Sequence, residues 1–311
     1  MKTKVLVAGL NYNQLDYIKE IKKKGYYIVG IDKNPNAPAK YLCDRFYNFG
    51  YNETEKILKA CINENFNESD KIFTASLQES YLYLSLVASS LNISFPSRES
   101  VEIAINKFKL YPFLENIGVN YPETKYIFSN DELYSLYNNL EEGSSYYLKS
   151  DFSKNPNYVY RIVKGQFDIN SVNWKKDRYL QKGYVLQKEF KGKEVRVNIF
   201  GNNFLAYPFA FKDKEEIKPL PDDDINKLCR LGVIETLIET TRKLKLENYL
   251  VKYDIILNKE GEYVILDIGI DPPYRMRHHY ENRGLNFAKI YVEHYLEGKV
   301  NYPIKHSCRV M

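Results

Sequence analysis

The stretch Tyr249–Glu281 reads "YLVKYDIILNKEGEYVILDIGIDPPYRMRHHYE". Two runs rich in Val, Ile, Leu and Tyr flank the short segment "NKEG", whose glycine marks a turn, so the pattern predicts a β-hairpin. Asp254 and Asp267 then fall on neighbouring strands and face one side. Two carboxylates brought together repel unless a cation neutralises them or one keeps its proton. Magnesium suits such a pair, because it takes a few carboxylates together with phosphate oxygens rather than a closed protein cage. The alternative is a pair of edge-strand aspartates hydrated by solvent. Beyond them come Asp271, a double proline that fixes a turn, Arg275, Arg277 and the pair His278–His279.

Working outward, "KVLVAGL" near the start reads as a buried strand. A helix over "YNQLDYIKEIKKKG" follows, with Leu15, Ile18 and Ile21 at helical spacing, and then the strand "YYIVGID". Strand, helix and strand in this order imply a parallel sheet. A helix around Glu53–Asn65, the strand "KIFTA" and the helix "ESYLYLSLVASSLN" continue the lobe to a boundary in "FPSRES". A helix pair spans "SVEIAINKFKLYPFLENIG". The strands "YYLKS", "YVYRIVKG" and "GYVLQKEF" follow, then a hairpin across "GNN" and one long helix over "INKLCRLGVIETLIETTRKLKLEN". The last helix is expected near Asn286–Leu296. The expected class is α/β in front and mixed α+β behind. The boundaries are 1–100 for the first lobe and 101–311 for the rest, with a lid at about 115–185 and a C-terminal lobe at about 186–300.

With 311 residues, 44% of them hydrophobic and 27% charged, the chain has enough apolar material for a substantial core. Its formal charge of +5 is dispersed, with no basic block of the kind that binds nucleic acid, so small anionic ligands are the expected partners. None of the four cysteines forms a CxxC pair or has a histidine at metal-ligand spacing. A reducing, cytoplasmic setting and no membrane segment are therefore expected.

Further charged residues stand where strands end. Lys149 closes "YYLKS", Lys107 sits in "NKFKLYPFLENIGVNYPET" ahead of a Gly–Val–x–x–Pro segment, and Glu189, Phe190, Glu194 and Arg196 cluster in "LQKEFKGKEVRV". Their order along nearly the whole chain resembles the ATP-grasp family, in particular its carbamoyl-phosphate synthetase-like and biotin carboxylase-like carboxylate–amine ligases. "NKFKLYPFLENIGVNYPET" and "YYLKS" are similar to the segments whose lysines contact phosphate, here Lys107 and Lys149. "QKEFKGKE" resembles the hinge motif E-E-Y-I-x-G-x-E, placing Gln187 at the adenine, Lys188, Glu189 and Phe190 beside it, and Glu194 at the ribose. "EVRVNIFGNNFLAYP" resembles the strand pair whose arginine, here Arg196, faces the phosphates. "YLVKYDIILNKEGEYVILDIG" resembles the metal hairpin, with Asp254 and Asp267 as magnesium ligands.

The resemblance implies an ATP-grasp fold: a Rossmann-like parallel α/β lobe, a small central lid and a C-terminal mixed sheet. It implies ATP and Mg2+, with Mn2+ as an alternative ion, and small-molecule carboxylate and amine substrates, with a homodimer as the assembly to test. The implied chemistry is ligation through an acyl-phosphate; a kinase-like transfer and a non-catalytic nucleotide-binding protein are the alternatives. Two departures stand out. The family's E-x-N metal motif reads Asp267-Ile268-Gly269 here, so Asp271 is expected to replace the missing asparagine. The usual glycine-rich phosphate loop reads "SDFSKNPNYV", so Ser153 and Lys154 are expected to supply donors. Arg275 is expected to clamp the substrate carboxylate. A dinucleotide site with Asp32 as ribose acceptor is disfavoured, because "GLNYNQ" lacks two of the three glycines such a turn needs.

Overall fold

A computed structural model of the chain describes residues 2–152, 159–172, 182–201, 203–204, 209–212, 216–274, 277–282 and 284–299. The first lobe contains β1 (Lys4–Ala8), α1 (Leu15–Lys23), β2 (Tyr27–Ile31), β3 (Arg45–Tyr47), α2 (Thr54–Asn63), β4 (Lys71–Thr74) and α3 (Gln78–Ser90). Its strands form a parallel sheet in the order β3-β2-β1-β4. Both faces are covered, which is why β1 and β2 read as continuous apolar runs. Asp32, at the end of β2, is taken by backbone: its carboxylate accepts from Leu10 N at 2.7 Å and Asn34 N at 2.8 Å. It caps a turn rather than awaiting a ribose.

The helices α4 (Arg98–Ile105) and α5 (Lys107–Asn116) lead into β5 (Thr124–Ile127), α6 (Asn130–Asn138), β6 (Ser145–Ser150), β7 (Val159–Val163) and β8 (Tyr184–Lys188). The four strands make an antiparallel sheet, β5-β8-β6-β7. Leu148, Leu186, Ile162 and Tyr184 on one face pack with Leu133 of α6. Because side chains alternate along a strand, the other face carries Thr124, Tyr147, Lys149 and Gln187. This small sheet is the lid, and its last strand runs to Lys188.

The third sheet joins β9 (Lys193–Phe200), β10 (Asn203–Phe204), β11 (Phe209–Lys212) and β12 (Glu216–Pro219) to β13 (Leu250–Leu257) and β14 (Tyr263–Gly269). Its order is β12-β11-β9-β13-β14, with β10 on β9, so the expected hairpin across "GNN" is present. The long helix expected between β12 and β13 is instead two, α7 (Asp222–Arg230) and α8 (Val233–Lys243). Gly232 separates them with φ +68°, a left-handed conformation that glycine adopts without steric cost and that ends a helix. Val195, Val197, Val251, Tyr253 and Ile255 pack beneath α7 and α8, leaving the opposite face for polar chemistry.

The chain ends its described course with α9 (Arg277–Glu281) and α10 (Phe287–Glu297). The second of these bridges the C-terminal sheet, through Phe200 and Leu250, and the first lobe. Phe287, Tyr291 and Leu296 enter the same core as Val5, Val7, Tyr17 and Phe73, and Tyr81 and Tyr291 join through their hydroxyls at 3.0 Å. The lobe that opens the sequence is closed by α10, the last helix among the described residues.

Candidate active site

The polar face of the C-terminal sheet is built by strand register. Arg196 of β9 pairs with Asp254 of β13, and Asp254 pairs with Asp267 of β14, so three charged residues stand in one row across three strands. The row depends on a bulge. Counting back from the turn, Leu257 faces Tyr263 and Ile255 faces Ile265, so a regular ladder would bring Leu266 opposite Asp254. The register shifts there by one residue, and Leu266 goes unpaired while Asp267 takes its place. The freed Leu266 carbonyl accepts a hydrogen bond from Tyr111 at 2.9 Å.

Asp254, Asp267 and Asp271 each hold a protein cation. Arg196 grips Asp254 with both arms, Nε to Oδ1 at 2.5 Å and Nη2 to Oδ2 at 2.6 Å, the planar fork geometry that carboxylates match. Lys107 Nζ lies 2.9 Å from Asp267 Oδ1. Lys107 is the first residue of α5 and is buried. The positive end of a helix dipole disfavours a lysine there, so the acid opposite it, rather than helix formation, accounts for the position. One step along the same face, Lys252 Nζ lies 2.8 Å from Asp271 Oδ1, and Gln78 of the first lobe donates to that same oxygen at 2.7 Å. Asp271, expected as a metal ligand in place of the missing asparagine, is therefore committed to a buried ammonium and an amide.

The remaining residues of the sequence reading fall in three groups. Lys149 and Gln187 stand on the inner face of the lid. Glu194 faces the row from β9, and its carboxyl is pushed up by burial and by the charge of Asp254, with Lys149 and Arg196 opposing. The hinge residues Lys188, Glu189 and Phe190 line a cavity of about 480 Å³ with Tyr121, Glu123 and Tyr263. Lys188 pairs with Glu141 at 2.8 Å and Glu189 accepts from Tyr147 at 3.2 Å. Ser153, Lys154 and Arg275 lie outside the described residues. Arg277 is held by Asp16 and by Glu281, the latter at 2.6 Å, and His278 is exposed.

Two observations bear on a nucleotide and its metal. Gln187 is 1% exposed, and while its amide nitrogen donates to Thr124 at 2.9 Å, its Oε1 has no partner among the described residues. A buried acceptor without a donor is costly unless a ligand supplies one. Among the described residues no three His, Cys, Asp or Glu side chains cluster as a self-sufficient metal site. Asp254 and Asp267 fit one hard cation that completes its coordination with phosphate oxygens, since each carboxylate keeps lone pairs beyond its ion pair.

Asp151, where the lid meets α5, is fully buried; its Oδ2 accepts from Lys182 N at 2.9 Å while Oδ1 has no partner among the described residues. Burial raises its pKa against the hydrogen bonds from Lys182 and Phe152. A raised acid pKa means that the ionised form weakens the fold. The penalty is absent below the ordinary value of 3.8 and grows as pH rises through it, reaching its full size above the raised folded value. Asp151→Asn is expected to stabilise the protein by about 1 kcal/mol near neutral pH and by nothing in strong acid, read by urea unfolding at both.

Sequence reasoning missed Lys252, although a lysine inside the apolar run "LVKYDIIL" was a visible signal. Gln78 carried none, since its partner lies 193 residues away.

A parallel α/β lobe, an antiparallel lid and a C-terminal sheet with a carboxylate hairpin give this chain the ATP-grasp fold, although that last sheet, expected to be mixed, is antiparallel at every described pairing. Among solved structures it is similar to the biotin carboxylase domain of the 2-oxoglutarate carboxylase of Hydrogenobacter thermophilus, in complex with MgADP, ADP and bicarbonate. There the TM-score is 0.74 at 13% identity, over 97% of this chain and 71% of that one. The L-amino acid ligase of Bacillus licheniformis gives 0.71 at 15%, over 96% and 75%. The N5-carboxyaminoimidazole ribonucleotide synthetase of Thermotoga maritima gives 0.69 at 18%, over 95% and 76%. No family model matches the sequence. An uncharacterized protein of Methanocaldococcus jannaschii is 26% identical over 213 residues, 66% of this chain and 52% of that protein, so the match spans about half the length of the relative.

Proposed function

We propose that this chain is an ATP-dependent ligase that activates a small-molecule carboxylate as an acyl-phosphate and passes the acyl group to an amine or similar nucleophile. The observation that carries the reading is the row Arg196–Asp254–Asp267 with Lys107, lying on the ATP-grasp fold under a lid that presents Lys149. The unpartnered Gln187 Oε1 is an acceptor for the adenine amino group. Lys107, Lys149 and Arg196 would meet the phosphates, and Asp254 and Asp267 would hold magnesium, or manganese in its place. Bound there, the ion supplies charge neutralisation on the transferring phosphoryl group.

The chain's residues need no nucleophile of their own. A substrate carboxylate oxygen bonds to the terminal phosphorus as the bond to ADP breaks, and the cations spread the charge that builds on the phosphoryl oxygens. The amine then bonds to the acyl carbon and phosphate leaves with one oxygen of the original carboxylate. Arg275 is our candidate for the clamp on that carboxylate, its planar fork able to form two hydrogen bonds. The fold shared with an L-amino acid ligase and a carboxylase domain crystallised with MgADP supports this reading. No described helix is long and apolar enough to cross a membrane, and we place the protein in the cytoplasm, as monomer or homodimer.

The test is a screen of carboxylates and amines for ADP release, followed by a substrate labelled with heavy oxygen in its carboxylate. One labelled oxygen in the released phosphate is expected; label kept wholly in the product excludes the acyl-phosphate. Lys149→Ala is expected to weaken ATP about tenfold, the worth of a charged hydrogen bond. Titration calorimetry showing parent-like affinity would remove Lys149 from the phosphate site.

A further inference from the structure

We infer that the chain handles its nucleotide with a single divalent cation, the ammonium of Lys252 standing where a second would be held. The inference rests on the ATP reading above and concerns the next row of the same sheet face, Asn198–Lys252–Gly269. Gly269 is the position where the resemblance implies a metal-binding asparagine, and the volume beside it is already filled. A Cβ built at 269 would lie 2.8 Å from Lys252 Cε, 2.7 Å from Gln78 Nε2 and 3.4 Å from Lys252 Nζ. Contacts under 3 Å leave no room for any side chain while Lys252 and Gln78 stay in place. Glycine is what lets the lysine stem cross from β13 over β14.

The ammonium delivered by that stem is held from both lobes. Asp271 Oδ1 receives Lys252 Nζ at 2.8 Å and Gln78 Nε2 at 2.7 Å, and the side chains of Lys252 and Asp271 are only 6% and 9% exposed. An oxygen already taking two N–H donors is a poor magnesium ligand, and the ion would also need octahedral oxygens at about 2.1 Å in space held by a methylene chain and an amide. Breaking the buried pair to admit it would strand a charge. In the row of Asp254 and Asp267 the donors named above are spread one to an oxygen, so lone pairs remain for one ion. Lys252 thus fills that space with an ammonium already paired to Asp271, which needs no dehydration and no free metal.

The experiment counts ions. The full chain is mixed with Mn2+ and an ATP analogue carrying nitrogen between its terminal phosphates, and free Mn2+ is read by electron paramagnetic resonance. One bound ion per bound analogue is expected. Two ions with the analogue bound overturn the inference alone; no bound analogue overturns the ATP reading and the inference with it. The double variant Lys252→Ala/Gly269→Asn opens the space and returns an oxygen ligand, so its count is expected to rise to two, and a count still at one contradicts the role given to Lys252. Because that double change can cost the fold, Lys252→Met is measured beside it, keeping the stem and removing the charge. Its affinity for the analogue should fall roughly ten- to a hundredfold; an unchanged affinity overturns the stand-in.

Discussion

Replacing Arg196 with methionine should lower ATP-dependent ADP release by about two to three orders of magnitude, the loss seen when one preorganised charge stabiliser is removed from a phosphoryl or acyl transfer site. Two effects combine. The phosphates lose a fixed cation, and Asp254, which accepts from both arms of the guanidinium, is left as an uncompensated carboxylate on a half-buried sheet face. They separate by experiment. Adding Asp254→Asn to Arg196→Met should recover thermal stability without recovering turnover, because the stranded charge is gone but the cation is not restored. Arg196→Lys should sit between, keeping a charge and losing the fork. Full activity in Arg196→Met would refute a role for the row in phosphoryl transfer.

Asp267→Asn has the opposite signature in the absence of metal. With magnesium present, ATP affinity should fall about a hundredfold and ADP release by more, since the variant loses one of the two carboxylates offered to the ion. With magnesium chelated, it should bind ATP as well as the parent or better. Lys107 Nζ, 2.9 Å from Asp267 Oδ1, is then no longer neutralised by a carboxylate and its charge is available to phosphate. Paired calorimetric titrations with magnesium and with chelator check the crossing. Equal weakening in both would mean that Asp267 acts on the nucleotide without metal.

Much of this site was legible because β-structure converts sequence spacing into neighbours. Alternation puts Lys149 and Gln187 on one face of the lid, and the hairpin brings Asp254 to Asp267. Even so, the hairpin was read correctly for a reason the sequence does not display: a plain count from the turn would have matched Asp254 with Leu266, and only the bulge corrects it. The ion partners were illegible in a different way. Lys107 and Asp267 are separated by 160 residues and Gln78 and Asp271 by 193, and no local pattern encodes such meetings. Asp271 was read as a metal ligand because charge and spacing alone do not reveal that a lysine two residues before Asp254 reaches across a glycine to take it. The helix over α7 and α8 was drawn as one because apolar periodicity continues through Gly232, whose left-handed backbone breaks the helix without breaking the pattern.

The return of α10 to the first lobe has a consequence for how the protein is made. Tyr17, Phe73 and Val7 find their full packing only against Phe287, Tyr291 and Leu296, so a ribosome emits the amino-terminal lobe with one wall of its core missing. Domains generally fold as units in the order they emerge, but here the first unit needs α10. The half-built lobe is expected to keep aromatic surface exposed through synthesis of the lid and the C-terminal sheet, until α10 docks.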